Sequence, residues 1–542
     1  MKKIFYGGPI ITMDDNNPRV EAVVIDGNRI QALGAYDEML KLVGPEDERV
    51  DLQGKVMMPG LIEPHIHLDH GGLLFNWVDI SGFTNRTKEE VMKRITDAVA
   101  ATPKGEWVTC FGYDYALVPD LESFTKKDLD KITTDHPLLV LIQSMHTMFV
   151  NSKALEVMNI TKDTPDPAGG YYDRDENGEP NGIAIEIAAI IPFAFKWLQC
   201  VDYSLYDLMV QQLDEYRKIG VTTVWSGGLI NYFKDYVDVN KKMIEDPKCP
   251  VRMSYSIPYE QIKNGEIDMT HPAEDSDRFQ YTGLKIWYDG SPYSGTMFLE
   301  ENYLNSPLMQ DKFQVKKDQA GMSIYPKEKF RDIIEKYHKM GIQIAVHTQG
   351  DRSTREVLDC FEDVLTKYPR ADHRHRLEHC ALISDADYER ASRLGITISY
   401  HINHIYYYGE VLHNDIIGPE RANRLMAAKT ALKNNIKFTL HTDPPMYRPN
   451  PLHVAATAVL RKTRDGLVLG ADEAVTPHEA LKAITIDSAW QLFREKDLGS
   501  IEVGKYADFT LLGQDPYETD PEQWKDIEII TTYLDGVDTN TL

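Results

Sequence analysis

The stretch "PHIHLDH", residues 64–70, holds His65, His67 and His70 directly behind the apolar run "MMPGLIE". His65 and His67 stand at i and i+2, so on a strand they share a face, and two imidazoles on one face can hold a divalent metal ion. His70 is out of step with both and lies past the strand. Alone, the HxH pair is weak. Further along, His347 ends the run "IQIAVH", His379 ends "HRLEH" and Asp443 ends "KFTLHTD". Five metal-competent groups at the ends of short apolar runs point to a metal site.

Lys285 is the sixth candidate. It sits inside the apolar run "GLKIWYDGS", where a bare ammonium costs several kcal/mol unless it is paired or neutral. A neutral lysine amine reacts with CO2 to give a carbamate, an anion able to bridge two divalent ions. The competing reading pairs Lys285 with a carboxylate such as Asp289.

These groups need a frame that brings strand ends together. Apolar runs at 220–228, 251–259, 283–291, 342–350, 375–384, 396–404 and 437–445 alternate with amphipathic stretches such as "KEKFRDIIEKYHKMG". With "VMMPGLIEPHIHL" as the first, eight strands result. The expected fold class is α/β, a (β/α)8 TIM barrel, which carries its reactive groups at strand C-terminal ends. Both chain ends read as strands and Gly or Asp-Asn turns, which predicts a composite β-sandwich from residues 1–58 and 494–542. The barrel then spans 59–72 and 201–493. The stretch 73–200 is too long for a loop and reads as an α/β insertion after the first barrel strand. The Gly-, Pro- and Tyr-rich connection 289–326 reads as an active-site lid or a surface loop.

A net charge of −25 argues against nucleic-acid partners and against docking on anionic lipid. The five cysteines are scattered without a CxxC pair, which fits a reducing cytoplasm. No apolar run reaches the roughly 18–20 residues of a membrane helix. The N-terminus starts basic and apolar, but Gly-Gly-Pro breaks it before any cleavage site. The expected partner is a small-molecule substrate, with a homodimer as the default assembly.

The segments "PGLIEPHIHL", "HTQGDR", "HRLEHC", "HTDPP" and "LGSIEVGKYADFTLL" resemble the amidohydrolase superfamily. "MHTMFVNSKALEVMNIT", "DTPDPAGG", "GEPNGI", "KIWYDGS" and "TPHEALKAITIDSAWQL" are similar to its amidohydrolase-3 branch, the YtcJ-like metal-dependent hydrolases. The resemblance covers essentially the whole chain. It implies one or two divalent ions, commonly zinc, with His65, His67 and Asp443 on one, His347 and His379 on the other, and carbamylated Lys285 between them. "EPHIH" departs from the more usual Asp-Ser-His or Asp-Ala-His, and "SYHINH" adds His401 and His404.

The expected reaction is hydrolysis of a C–N, amide-type bond. A metal lowers the pKa of bound water towards about 7. The hydroxide attacks a carbonyl that the other metal or His379 polarises, with Asp443 as base and then acid. A purely structural ligand role for Asp443 is the alternative. His146, Asp114, His401 and His404 are candidate substrate-binding residues, each with a structural role as the competing reading. Asp351 and Arg352 read as ordering the metal shell or the following helix. The same metal site would serve an ester or lactone hydrolase or a deaminase, although no clear Glu acid for deamination stands out. A regulatory protein that keeps the barrel without activity is the non-enzymatic alternative.

Overall fold

The computed structural model describes residues 2–230, 232, 235–262, 269 and 272–542. The chain forms two compact units. One comprises Met1–Asp69, Val210–Tyr303 and Gln319–Leu542, and the other His70–Met209 and Leu304–Asp318.

The first unit contains eight parallel strands: β1 (Leu61–Ile66), β2 (Val221–Ser226), β3 (Arg252–Pro258), β4 (Phe279–Trp287), β5 (Gln343–Thr348), β6 (Arg376–His379), β7 (Thr397–Tyr400) and β8 (Phe438–Leu440). They pair in chain order from β1 to β8. β1, β2, β3 and β6 to β8 are buried along their whole length, as expected for a parallel sheet covered on both faces. Side chains and one backbone bond join β8 to β1. Glu63 accepts from the Thr442 N–H at 3.2 Å and from its hydroxyl at 2.7 Å, and the His67 N–H donates to the Pro444 carbonyl at 2.9 Å. The result is the TIM-like barrel that the strand rhythm predicts.

Helices α1 (Lys327–Lys339) and α2 (Asp351–Lys367) flank β5. On α2, Val357, Leu358, Phe361, Val364 and Leu365 are buried at helical spacing, which seats one stripe of the helix on the core. Both chain ends meet in a separate eight-stranded sheet, where Val56–Pro59 pairs antiparallel with Phe509–Leu512. This sheet and the barrel belong to the same unit. The second unit has a six-stranded sheet and the helix Lys88–Ala101, which starts on a Thr87/Glu90 capping box. Val91 and Ile95 of that helix join Ile80, Val108, Leu138 and Phe149 in its core. Among the described residues no helix is long and apolar enough to cross a membrane.

At the start of β6, away from the strand ends, three histidines lock one another in the neutral form. His338 Nε2 contacts the Tyr368 carbonyl at 2.7 Å, so it carries the proton and leaves Nδ1 to accept from His375 Nε2 at 2.9 Å. His375 Nδ1 accepts from the Ile344 N–H, and His373 Nδ1 from the His375 N–H. Burial lowers all three, His373 to about 4 and His375 well below the ordinary value. A histidine whose folded pKa lies below the unfolded value of about 6.5 stabilises the fold above that pH. The contribution is lost as pH falls towards the folded value. Buried Glu63, Asp69 and Asp289, pushed up to about 8, 7 and 7, contribute with the opposite sign, so the histidine part is read as a difference. His373→Asn keeps an acceptor for the His375 N–H. We expect the urea midpoint of the wild type to lose more than that of the variant between pH 6.5 and 4.5, by up to about 1.4 kcal/mol per pH unit per proton. Parallel pH profiles would contradict the locked arrangement.

Candidate metal centre

The C-terminal ends of the barrel strands bring the nominated residues into one buried cluster. His65 lies in β1, Lys285 and His347 near the ends of β4 and β5, and His379 is the last residue of β6. His401 follows β7 and Asp443 follows β8. His379 and Asp443 both hold left-handed backbone, at φ 74° and 55°. Non-glycine residues rarely pay that conformational cost without a surrounding structure that imposes it, and such positions concentrate at functional sites.

Asp443 is the meeting point. Its Oδ1 lies 3.4 Å from His67 Nε2 and 3.6 Å from His65 Nε2. Its Oδ2 lies 3.9 Å from His379 Nδ1 and 3.8 Å from His401 Nδ1. The rings of His347 and His379 are 4.3 Å apart, and Lys285 Nζ is 3.0 Å from His65 Nε2. Asp289 is engaged elsewhere: it accepts from the backbone N–H groups of Gln349, Gly350 and Phe298 at 2.9, 3.0 and 2.9 Å. That leaves Glu378 and Asp443 as the carboxylates whose charges act most on Lys285.

The donor set fits a divalent ion. Asp443 Oδ1 is buried and accepts no hydrogen bond among the described residues. Two ligands about 2.0–2.1 Å from a tetrahedral zinc stand about 3.3–3.5 Å apart, close to the spacings of Oδ1 from His67 and His65. Ligand atoms of His65, His379 and Asp443 all lie within 4.8 Å of one another, as do those of His379, His401 and His441. Burial, followed by the charge of Lys285, holds His65 well below its ordinary pKa. Burial likewise lowers His347, to about 3, and His379. Neutral imidazoles are the form that binds metal. Burial pushes the Asp443 carboxyl up against the lowering pull of Lys285, and pulls the Lys285 ammonium down.

Three members of the cluster were not nominated from sequence. Glu378 Oε2 sits 2.6 Å from His65 Nδ1, while Arg376 donates to Glu378 Oε1 at 2.5 Å and to Oε2 at 3.1 Å. The guanidinium lies 3.9 Å from the Trp225 ring. This pair fixes the proton of His65 on Nδ1 and turns Nε2 towards Asp443, as carboxylates behind metal-binding histidines do. His441 Nε2 reaches His379 Nδ1 at 3.2 Å. The signals were present: Arg376 and Glu378 alternate within a buried strand, and charges there must pair; His441 and Asp443 repeat the spacing of His65 and His67. Gly227 is also built into the site, because a Cβ there would lie 2.8 Å from His65 Nε2.

Glu378→Gln is expected to weaken metal binding about 10–100-fold and to lower stability by about 3 kcal/mol, since it leaves buried Arg376 uncompensated. Chelator competition and urea denaturation measure the two effects. Unchanged metal affinity would remove Glu378 from the positioning of His65.

Of the other nominated residues, His404 contacts the hydroxyls of Tyr293 and Tyr447 through Nδ1 at 2.6 and 2.8 Å, and its ring lies 4.1 Å from that of His401. Both therefore line the cluster on the β7 side. Asp351 Oδ1 accepts from the Glu300 and Arg352 N–H groups at the start of α2, an ordering role. His146 and Asp114 belong to the second unit. There His146 Nδ1 is 2.9 Å from Glu186 Oε2 and half-exposed, and buried Asp114 accepts from the Ala116 N–H at 2.7 Å. His70 lies in the same unit, on the short helix Leu68–Leu74.

A family model described as "Amidohydrolase family" matches residues 48–538. The chain is 29% identical over 555 residues to the "Putative amidohydrolase YtcJ" of Bacillus subtilis (strain 168), covering 99% of each chain. It is 28% identical over 536 residues to the "N-substituted formamide deformylase" of Arthrobacter pascens, covering 97% of this chain and 96% of that one. Among solved structures, an uncharacterized metal-dependent hydrolase from Pyrococcus horikoshii OT3 superposes with a TM-score of 0.73 at 23% identity, over 96% of this chain and 99% of the other. That last likeness speaks to the fold.

Proposed function

The chain belongs to the amidohydrolase family, and from that premise we propose that it is a metal-dependent hydrolase that cleaves an amide-type C–N bond. The observation that carries this reading is the Asp443 carboxylate, buried with an oxygen that accepts no hydrogen bond among the described residues and lies beside the imidazoles of His65 and His67. In this assignment His65, His67 and Asp443 would hold one ion, His347 and His379 would hold a second, and Lys285, as its carbamate, would serve as a shared anionic ligand. Imidazole and carboxylate donors suit zinc. Bound there, a divalent ion supplies Lewis acidity, acidifying water and polarising a carbonyl.

The protein's own groups do the rest. Asp443 takes a proton from the attacking water and returns it to the leaving nitrogen. His379, 3.9 Å from Asp443 Oδ2, would steady the carbonyl oxygen if the imidazole is not taken up by the second ion. Burial also favours the neutral amine of Lys285, the form that reacts with CO2. The N-substituted formamide deformylase among the relatives supports an amide as the substrate class.

The test is elemental analysis of protein purified without chelator, followed by a panel of N-substituted formamides, N-acyl amino acids, cyclic amides and lactones. Stoichiometric divalent metal and turnover of an amide are expected. Metal-free protein, or metal-loaded protein that opens lactones and leaves every amide intact, would overturn the reading.

A further inference from the structure

Beyond the metal cluster, the rim between β3 and β4 carries a carboxylate for which the hydrolytic chemistry above has no use. β3 ends at Pro258, paired with Lys285 of β4. Two residues on, Glu260 stands in the helix Tyr259–Ile262, and two residues past Lys285, Trp287 closes β4. Trp287 looks onto the cluster: its ring centroid is 5.1 Å from Lys285 Nζ and 6.5 Å from the His67 ring. Glu260 is held from one side only. The Tyr325 hydroxyl donates to Oε1 at 2.6 Å, while Oε2 is shielded from solvent and accepts no hydrogen bond among the described residues. The charge of Glu260 also acts on Lys285. A shielded carboxylate oxygen without a donor costs at least about 1–3 kcal/mol, and a ligand that brings a charged N–H recovers that cost.

The surroundings say what kind of ligand. Tyr325 belongs to "GMSIYPKE". The Ile324 N–H donates to the Tyr288 carbonyl at 2.7 Å, which lays this segment along the end of β4. Met322 and Ile324 are 63% and 52% exposed there. A carboxylate with one oxygen lacking a donor, beside a segment with exposed aliphatic side chains, suits an ammonium group on an apolar body and disfavours an anion. We propose that Glu260, positioned by Tyr325, forms a subsite for a protonated amine carried on an apolar or aromatic group of the substrate.

The assignment to the substrate rests on the hydrolase reading. The scissile amide nitrogen is uncharged until the C–N bond breaks at Asp443, so the ammonium read by Glu260 is a separate group of the substrate. The binding test needs no turnover. Calorimetric titration of the metal-loaded full chain at neutral pH compares phenethylamine with its uncharged isostere 2-phenylethanol. The wild type should bind the amine at least about tenfold tighter, as a charge-assisted hydrogen bond implies. Glu260→Gln should bring the two within about twofold, and Tyr325→Phe should weaken the amine alone. No preference in the wild type would overturn the subsite. So would a preference that survives in Glu260→Gln, which would place the amine on the metal cluster. An unchanged urea midpoint establishes that the variant is folded, and Tyr325→Phe, which leaves the carboxylate in place, carries the test if Glu260→Gln unfolds. Failure of the hydrolase reading shows separately, as an amide panel without turnover.

Discussion

Asp443→Asn is expected to lower kcat on the amide substrate by about 10²–10⁴-fold, the range for loss of a general acid–base group, and the loss should persist after metal has been restored to the wild-type level. The substitution isolates proton transfer. Asparagine tolerates left-handed backbone, so the φ of 55° at this position is kept. Its amide oxygen can occupy the place of Oδ1 beside His65 and His67, but it cannot take a proton from water at neutral pH. A structural ligand would behave differently: kcat and metal content would fall together, and added metal would restore both. The pH profile gives a second reading. The wild-type acidic limb reports the carboxyl that must be ionised to accept a proton, and burial has raised that carboxyl. The limb should vanish in the variant.

Lys285→Ala is expected to cut activity by on the order of 10³-fold or more, comparable to removing a preorganised charged group from an enclosed site, and to lower bound metal. Stability should not suffer in proportion. The lysine is fully buried, but of the two carboxylates that act on it most, Glu378 stays paired with Arg376 and Asp443, already raised by burial, can take up a proton instead. Short carboxylates such as acetate or propionate should restore part of the activity and of the metal in the variant, because they place an anionic O–C–O group where the carbamate stood. Lys285→Arg, which keeps a cation and cannot form the carbamate, should stay inactive and gain nothing from carboxylates. If Lys285→Arg retains activity, the lysine acts as a cation and the bridging role is wrong.

Much of the site was legible because barrel strands obey a simple geometry. Side chains at i and i+2 share a face, and strand C-termini converge on one rim. His65, His67, Lys285, His347, His379 and Asp443 all follow from that, as do the eight strands that hold them. Glu378 and Arg376 could have been added by the same reasoning, since two opposite charges in the buried run "HRLEHC" have to satisfy each other. Glu260 could not. It follows a strand like several other carboxylates, and nothing in its neighbourhood separates it from an ordinary surface residue.

What the sequence indicated alone is therefore the periodic part: the barrel, the meeting of both chain ends in one sheet, and six candidate metal ligands. What only the tertiary structure decided is which groups are already spoken for. Asp289, a plausible partner for Lys285 in the sequence, spends both oxygens on backbone N–H groups, whereas Asp443 Oδ1 accepts no hydrogen bond among the described residues and lies beside two imidazoles. The physical reason is that a hydrogen bond is a local commitment made across long sequence separations. Residue type and spacing fix what a side chain can donate or accept, but only the folded arrangement shows which capacity has been used and which is left for a ligand.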